Sequence, residues 1–119
     1  MKAVLVISHG SHSPQTKKEV EHLVELLKTK TGIKVLELAF LEIETPDIPT
    51  GLDICVQKGA TEVLVLLNFL NSGRHVSRDI PVIVQQAQEK HPNVKFSISQ
   101  PIGQHERIAD LFVDLIEHA

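Results

Sequence analysis

The chain contains no tryptophan, no tyrosine and only one cysteine, and each shortage narrows what it can be. With Cys55 alone, an intrachain disulfide and any cysteine-cluster metal site are excluded, and a reducing compartment, by default the cytoplasm, is the expected location. Long hydrophobic runs are missing as well. The first apolar run, residues 3–7, is too short for a signal-peptide core and far too short to span a bilayer, so no membrane partner is expected. Charge of one sign is not in excess either: 12 Lys and Arg stand against 15 Asp and Glu, a net charge of -3 with neutral histidines. That balance argues against a nucleic-acid partner and against a disordered tail, and any anionic ligand must be met by a local basic patch. No internal repeat, low-complexity stretch or linker divides the 119 residues, so one domain covering residues 1–119 is expected, with on the order of two-thirds of its unfolded surface buried. The one richness is histidine, seven in all, and it calls for an explanation residue by residue.

Apolar patterning gives four strands alternating with four helices. Residues 2–8 (KAVLVIS) form a β-branched run of the kind buried on both faces in a parallel sheet. Ser13-Pro14 then predicts an N-cap with proline in the first turn, and Val20, Leu23, Val24 and Leu27 recur at helical spacing until Gly32. Residues 33–41 read as the second strand, Thr45-Pro46-Asp47 as the opening of a helix that Gly59 ends, and residues 61–67 as the third strand. A loop is expected over residues 68–78. Asp79-Ile80-Pro81 restarts a helix with Asp79 as its cap, His91-Pro92-Asn93 breaks it, and residues 94–99 form the fourth strand. The last helix, after Gly103, should turn Ile108, Leu111, Phe112, Leu115 and Ile116 inward. The expected architecture is an α/β three-layer sandwich on a four-stranded parallel sheet, flavodoxin-like, in the order 2-1-3-4.

In such a sheet ligands bind at the carboxyl ends of the strands, which selects His9 after strand one, Glu42 after strand two and His75 in the loop after strand three. Two imidazoles and a carboxylate form a reasonable ligand set for cobalt, nickel, iron or zinc, and equally a set of proton acceptors near neutral pH. Plainer readings exist for each. His9 can simply cap its strand, His75 can be a solvated loop residue, and Glu42 can be a strand end with Glu44 as an equal carboxylate. Gly10 allows close approach of a ligand or a positive φ, while Ser11 and His12 either aim groups at an anion near the helix N-terminus or act as caps. Arg74, Arg78, Lys17 and Lys18 are candidates for pairing with substrate carboxylates. His22, His91 and His118 read as surface residues, and His105 opens the last helix at the active edge.

Ser8-His9-Gly10-Ser11, Phe40-Leu41-Glu42 with Pro46 beyond it, Gly73-Arg74-His75-Val76 running into Asp79-Ile80-Pro81, and Gln100-Pro101-Ile102-Gly103 occur in order over almost the whole chain. Together they resemble the small sirohydrochlorin cobaltochelatases of the class II chelatase group. The resemblance implies insertion of a divalent metal, Co2+ foremost with Ni2+ or Fe2+ as alternatives, into a sirohydrochlorin-type tetrapyrrole. It implies His9 and His75 as metal ligands and catalytic groups, Glu42 as a further charge or base, and Gly10, Ser11, His12, Arg74 and Arg78 around the substrate. No cofactor is permanently bound, since the metal is itself a substrate. The short form is similar to one half of larger, duplicated chelatases, which implies a homodimer. One departure is Asn68 and Asn71 in LNFLNSGRH, where the family pattern is more apolar or small.

Two rival classes are weaker. Histidine phosphatases carry an arginine immediately before the histidine, whereas Ser8 stands there here, and a phosphoryl-histidine lacks its stabilising charge without that clamp. A non-catalytic metal or tetrapyrrole carrier would use the same His9 and His75. Nucleotide binding is disfavoured because neither a G-x-G-x-x-G nor a G-x-x-x-x-G-K-[ST] loop occurs.

Overall fold

The structure is a computed structural model that describes residues 1–119 except for the side chain of His75. Its elements follow in the order β1 (Lys2–Ser8), α1 (Pro14–Thr31), β2 (Val35–Phe40), α2 (Ile48–Gln57), β3 (Glu62–Leu67), α3 (Ile80–Lys90), β4 (Lys95–Ile98) and α4 (Ile108–Glu117). The four strands form one parallel sheet in the order β2-β1-β3-β4, the order the alternating pattern predicts. β1 is central and buried from Ala3 to Ser8 because helices cover it on both sides. Its odd positions, Ala3, Leu5 and Ile7, pack with Ile48, Leu52 and Ile80 of α2 and α3, and its even positions, Val4 and Val6, pack with Val24 of α1.

These two faces are unequal. Sixteen buried side chains form the cluster on the α2/α3 side, while the cluster on the α1 side is smaller, with Val4, Val6, Val24 and Leu36 buried and Leu64 and Leu66 of β3 only partly covered. Beside α1 lies an apolar groove of about 320 Å³ that includes Leu23, Leu27 and Leu66. α4 fills neither side. Leu111, Phe112, Leu115 and Ile116 are 54–74% exposed, which corrects the expectation that they face inward. The molecule measures 48 × 32 × 29 Å, and its long dimension exceeds the next by about the ~15 Å length of a ten-residue helix.

Several boundaries differ from the sequence reading for local reasons. Of Thr45-Pro46-Asp47, it is Asp47 that caps α2, its carboxylate accepting the Thr50 amide at 2.9 Å, and the proline in the first turn is Pro49. Pro46 follows a cis peptide, and its carbonyl accepts the Phe40 amide. The expected loop before α3 is wound, from His75 to Asp79, into one π-helical turn that runs straight into the helix. Asp79 consequently sits at helical φ and ψ and makes no side-chain cap bond, so the expected cap is not formed. His91, read as a surface residue, is only 21% exposed at its side chain and pairs with Asp53 at 3.0 Å. Among the described residues no helix is long and apolar enough to cross a membrane.

Candidate functional site

The parallel pairing of β1 with β2 sets Ser8 opposite Phe40, and hydrogen bonding continues past both strand ends. The Leu41 amide donates to the Ser8 carbonyl at 2.9 Å, and the Glu42 amide donates to the His9 carbonyl at 3.1 Å. This extension carries His9 and Glu42 out of the sheet side by side. Their side chains meet at the tip, with His9 Nε2 2.7 Å from Glu42 Oε1 and each side chain 51% exposed.

Gly10 makes the approach possible. It adopts φ +101°, and a Cβ there would collide with the Glu42 carbonyl oxygen, so only glycine lets the β1 exit loop lie against the β2 exit loop. The second loop is itself under tension. Ile43 sits at φ 72°, a left-handed conformation that costs a β-branched residue on the order of 1–3 kcal/mol. The bend at Ile43 divides the two carboxylates that composition leaves equivalent: Glu42 reaches His9, while Glu44 accepts the Ser11 amide at 2.8 Å. Glu44 thus ties the two loops together, and Glu42 is the one presented beside the imidazole.

Other expected residues divide into those brought to this pair and those placed elsewhere. Ser8, His9, Gly10, Thr16, Glu19 and Asn68 share one open cavity of about 360 Å³. His12 lines a different depression of about 480 Å³, with Lys17, Lys18 and Glu44. Lys17 is engaged there: its ammonium donates to the Thr45 carbonyl at 2.8 Å and lies 5.8 Å above the Phe40 ring. The Ser11 hydroxyl accepts the Ser13 amide at 3.0 Å, so both its amide and its hydroxyl serve the loop. Arg74 and Arg78 are exposed on the segment after β3. The backbone of His75 begins the π turn on that segment, and its side chain lies outside the described residues.

Asn68 is the residue whose importance the sequence reading missed, having treated it only as a departure from pattern. Its backbone amide donates to the Ile7 carbonyl at 2.9 Å and its side-chain Nδ2 donates to the buried Ser8 hydroxyl at 3.0 Å. It borders both the His9 cavity and the apolar groove beside α1, where His105 stands at the far end. The β1/β3 register, with Ile7 opposite Leu67, is the signal that would have found it, since the next residue on β3 falls beside the one preceding His9.

Chemically, the pair offers one imidazole nitrogen and one carboxylate oxygen side by side, and half exposure leaves both accessible to a hydrated cation. Among the described residues no three His, Cys, Asp or Glu side chains converge into a metal cage. Two donors hold a divalent ion far more loosely than the closed four-ligand sets of structural sites, which suits an ion in transit.

The CbiX family profile matches residues 3–119. The sirohydrochlorin ferrochelatase of Arabidopsis thaliana chloroplasts is 33% identical over 115 residues, 97% of this chain and 51% of that protein. The sirohydrochlorin cobaltochelatase of Methanocaldococcus jannaschii is 25% identical and is covered over 96% of its length, as is 96% of this chain. Among solved structures, the sirohydrochlorin chelatase SirB from Bacillus subtilis subspecies spizizenii in complex with cobalt superposes with a TM-score of 0.88 at 30% identity, over 98% of this chain and 50% of that one. The chain spans about half the length, or less, of the first curated relatives it matches.

Proposed function

We propose that this chain, which belongs to the CbiX family, inserts a divalent cation into a sirohydrochlorin-type tetrapyrrole. The observation that carries the reading is the half-exposed His9–Glu42 pair at 2.7 Å, standing at the carboxyl edge of a parallel sheet where ligands gather. The relatives' names agree on the macrocycle and differ between iron and cobalt. Cobalt is our first choice of metal, with nickel and iron as competitors, because a nitrogen and oxygen donor pair binds all three and cellular supply selects among them.

The reaction replaces two pyrrole N–H protons by M2+ and releases two protons, so the site must strip water from the cation, hold it loosely and accept protons. Glu42 holds the His9 ring by its contact at 2.7 Å, and the imidazole serves as a metal ligand or as the base that accepts a released proton. His75, on the facing segment after β3, is assigned the second such role. Gly10 keeps the backbone low in front of the pair, where a flat ring must approach. Arg74 and Arg78 are assigned to the macrocycle's carboxylates, with His12 and the Ser11 loop at the opposite rim. One 119-residue unit offers a narrow surface for so wide a ligand, and we assign the active form as a cytoplasmic homodimer.

The test is anaerobic mixing of the purified protein with sirohydrochlorin and Co2+, then separately Ni2+ and Fe2+, following the macrocycle's absorbance against a protein-free control and against His9→Ala and His75→Ala. Acceleration lost in both variants is expected. A folded protein that binds the ring and accelerates insertion of no metal would overturn the catalytic reading.

A further inference from the structure

Resting on the chelatase reading, we propose that the turn after β4 acts through Gly103 and Gln104 as a brace that positions the segment carrying Arg74 and His75. Gln100-Pro101-Ile102-Gly103 is one of the segments behind the family resemblance, yet it follows β4, the edge strand two positions from β1 and its His9. Its partner is the β3 exit. β3 and β4 pair as far as Val65 and Ile98, after which the Ser99 amide donates to the Val65 carbonyl at 2.9 Å and the Ser99 hydroxyl accepts the Leu67 amide at 3.0 Å. Beyond Pro101, the Gly103 amide donates to the Phe69 carbonyl at 3.0 Å, and Gln104 Nε2 donates to the Ser72 hydroxyl at 2.8 Å. The two exits therefore advance together, from Leu67 to Ser72 on one and from Ser99 to Gln104 on the other. Gly103 lies so close that a Cβ there would collide with the Leu70 carbonyl.

The braced stretch has little packing of its own. Phe69 and Val76 lie against the α2/α3 core, but between them Leu70 is 62% exposed, and Ser72, Gly73 and Arg74 are exposed as well. The Gln104–Ser72 bond catches the chain immediately before Gly73, whose carbonyl accepts the Ser77 amide at 2.9 Å and the Ser77 hydroxyl at 3.0 Å and so starts the helical turn. Arg74 and the backbone of His75 lie at the head of that turn. Holding Ser72 therefore fixes where the turn begins, and with it the backbone from which both residues leave. Groups that orient a ligand from behind commonly change affinity or rate by about 10–100-fold when removed. Gln104 works in this indirect way, through Ser72, and is a positioning residue.

The experiment compares the full chain with Gln104→Ala, Ser72→Ala, the two combined, and Gln104→Glu, by hydrogen–deuterium exchange, by titration with Co2+ alone and by the insertion assay with sirohydrochlorin and Co2+. Gln104 and Ser72 are both exposed, so circular dichroism and melting temperature should stay as in the unaltered chain. In Gln104→Ala, exchange over residues 69–78 should rise while that of β1 does not change. Co2+ affinity and kcat should each fall about 10-fold. Ser72→Ala should match it, and the double variant should be no worse than either single one, because the same bond is lost in all three. Gln104→Glu should recover most of the loss, since its carboxylate can accept from the Ser72 hydroxyl. Unchanged exchange over residues 69–78 in Gln104→Ala, additive losses in the double variant, or full Co2+ affinity and kcat without the bond would each overturn the brace. An unaltered chain that inserts no metal overturns the chelatase reading instead, and exchange and Co2+ binding still judge the brace.

Discussion

Replacing Gly10 by alanine tests whether the contact between two exit loops organises the site. Two costs are separable in the structure. The backbone at φ +101° is one that L residues rarely adopt, which costs on the order of 1–3 kcal/mol. The added methyl also displaces the Glu42 carbonyl, loosening the Glu42-to-His9 and Leu41-to-Ser8 backbone hydrogen bonds, each worth about 1 kcal/mol net. The sum is about 3–5 kcal/mol, and at roughly 4 °C per kcal/mol for a domain of this size the melting temperature should fall by about 12–20 °C. Gly32→Ala is the internal control. It too has a positive φ, 72°, but a Cβ there meets nothing within 4 Å, so only the backbone cost of about 1 kcal/mol applies. Thermal unfolding followed by circular dichroism measures both, and metal insertion measured well below either transition reads the site. Gly10→Ala should lose insertion rate as well as stability, and Gly32→Ala should lose only stability. Equal melting temperatures for the two variants, or full activity in Gly10→Ala, would show that the close approach of the loops does not matter.

Glu42→Gln keeps a hydrogen-bonding partner for His9 but removes the carboxylate's charge and basicity from the pair, so kcat for insertion should fall about 100-fold with little change in KM for the macrocycle, while Glu44→Gln should be milder. The carboxyl of Asp53 is held below its ordinary value first by the hydrogen bond from His91 and then by that from Lys90. Its folded pKa is therefore depressed, so its contribution to stability is fully present above the unfolded value near pH ~4 and is lost as pH falls through the lower folded value. Melting temperature measured downward from about pH 5 should drop less steeply in Asp53→Asn than in the unaltered chain, and parallel curves would refute the assignment. Burial pushes the Cys55 thiol up to about 12, so it should resist a thiol reagent in the native protein and react at once in denaturant, and rapid native labelling would contradict its packing.

Much of this architecture was legible because β1, β2 and β3 are nearly continuous apolar runs whose only compatible setting is a sheet covered on both faces. Parallel pairing followed from crossovers long enough for right-handed βαβ units, the order 2-1-3-4 came from likeness to flavodoxin-like sheets, and His9 and Glu42 were singled out by the edge rule alone. What escaped was set by contacts between segments distant in sequence. Glu42 and Glu44 are indistinguishable by composition, and only the left-handed Ile43 between them decides which faces His9. Asn68 looks like a misplaced amide until β3 is aligned on β1 and its partner proves to be Ser8. The helical spacing of α4 was read correctly, but a stripe says only that a helix needs a covering surface. It does not say where that surface lies, and in this chain the stripe on α4 stays exposed.

Under the proposed function, the ladder that continues past Ser8 and Phe40 bears on how metal preference can change in such a chain. Since His9 and Glu42 leave adjacent strands still bonded backbone to backbone, the separation of their Cα atoms is governed by the spacing between strands, about 4.8 Å in any sheet. Substitutions around them can alter charge or polarity but cannot readily widen the gap, so this half of the site has one gauge for every cation that passes. Discrimination by ionic radius or geometry must then be tuned from the segment after β3, for which no backbone bond to β1 beyond Asn68 occurs among the described residues and which is tied instead to the turn at Gly103. Chains of this kind should diverge in metal preference through residues 69–78 while the first two exit loops stay as they are.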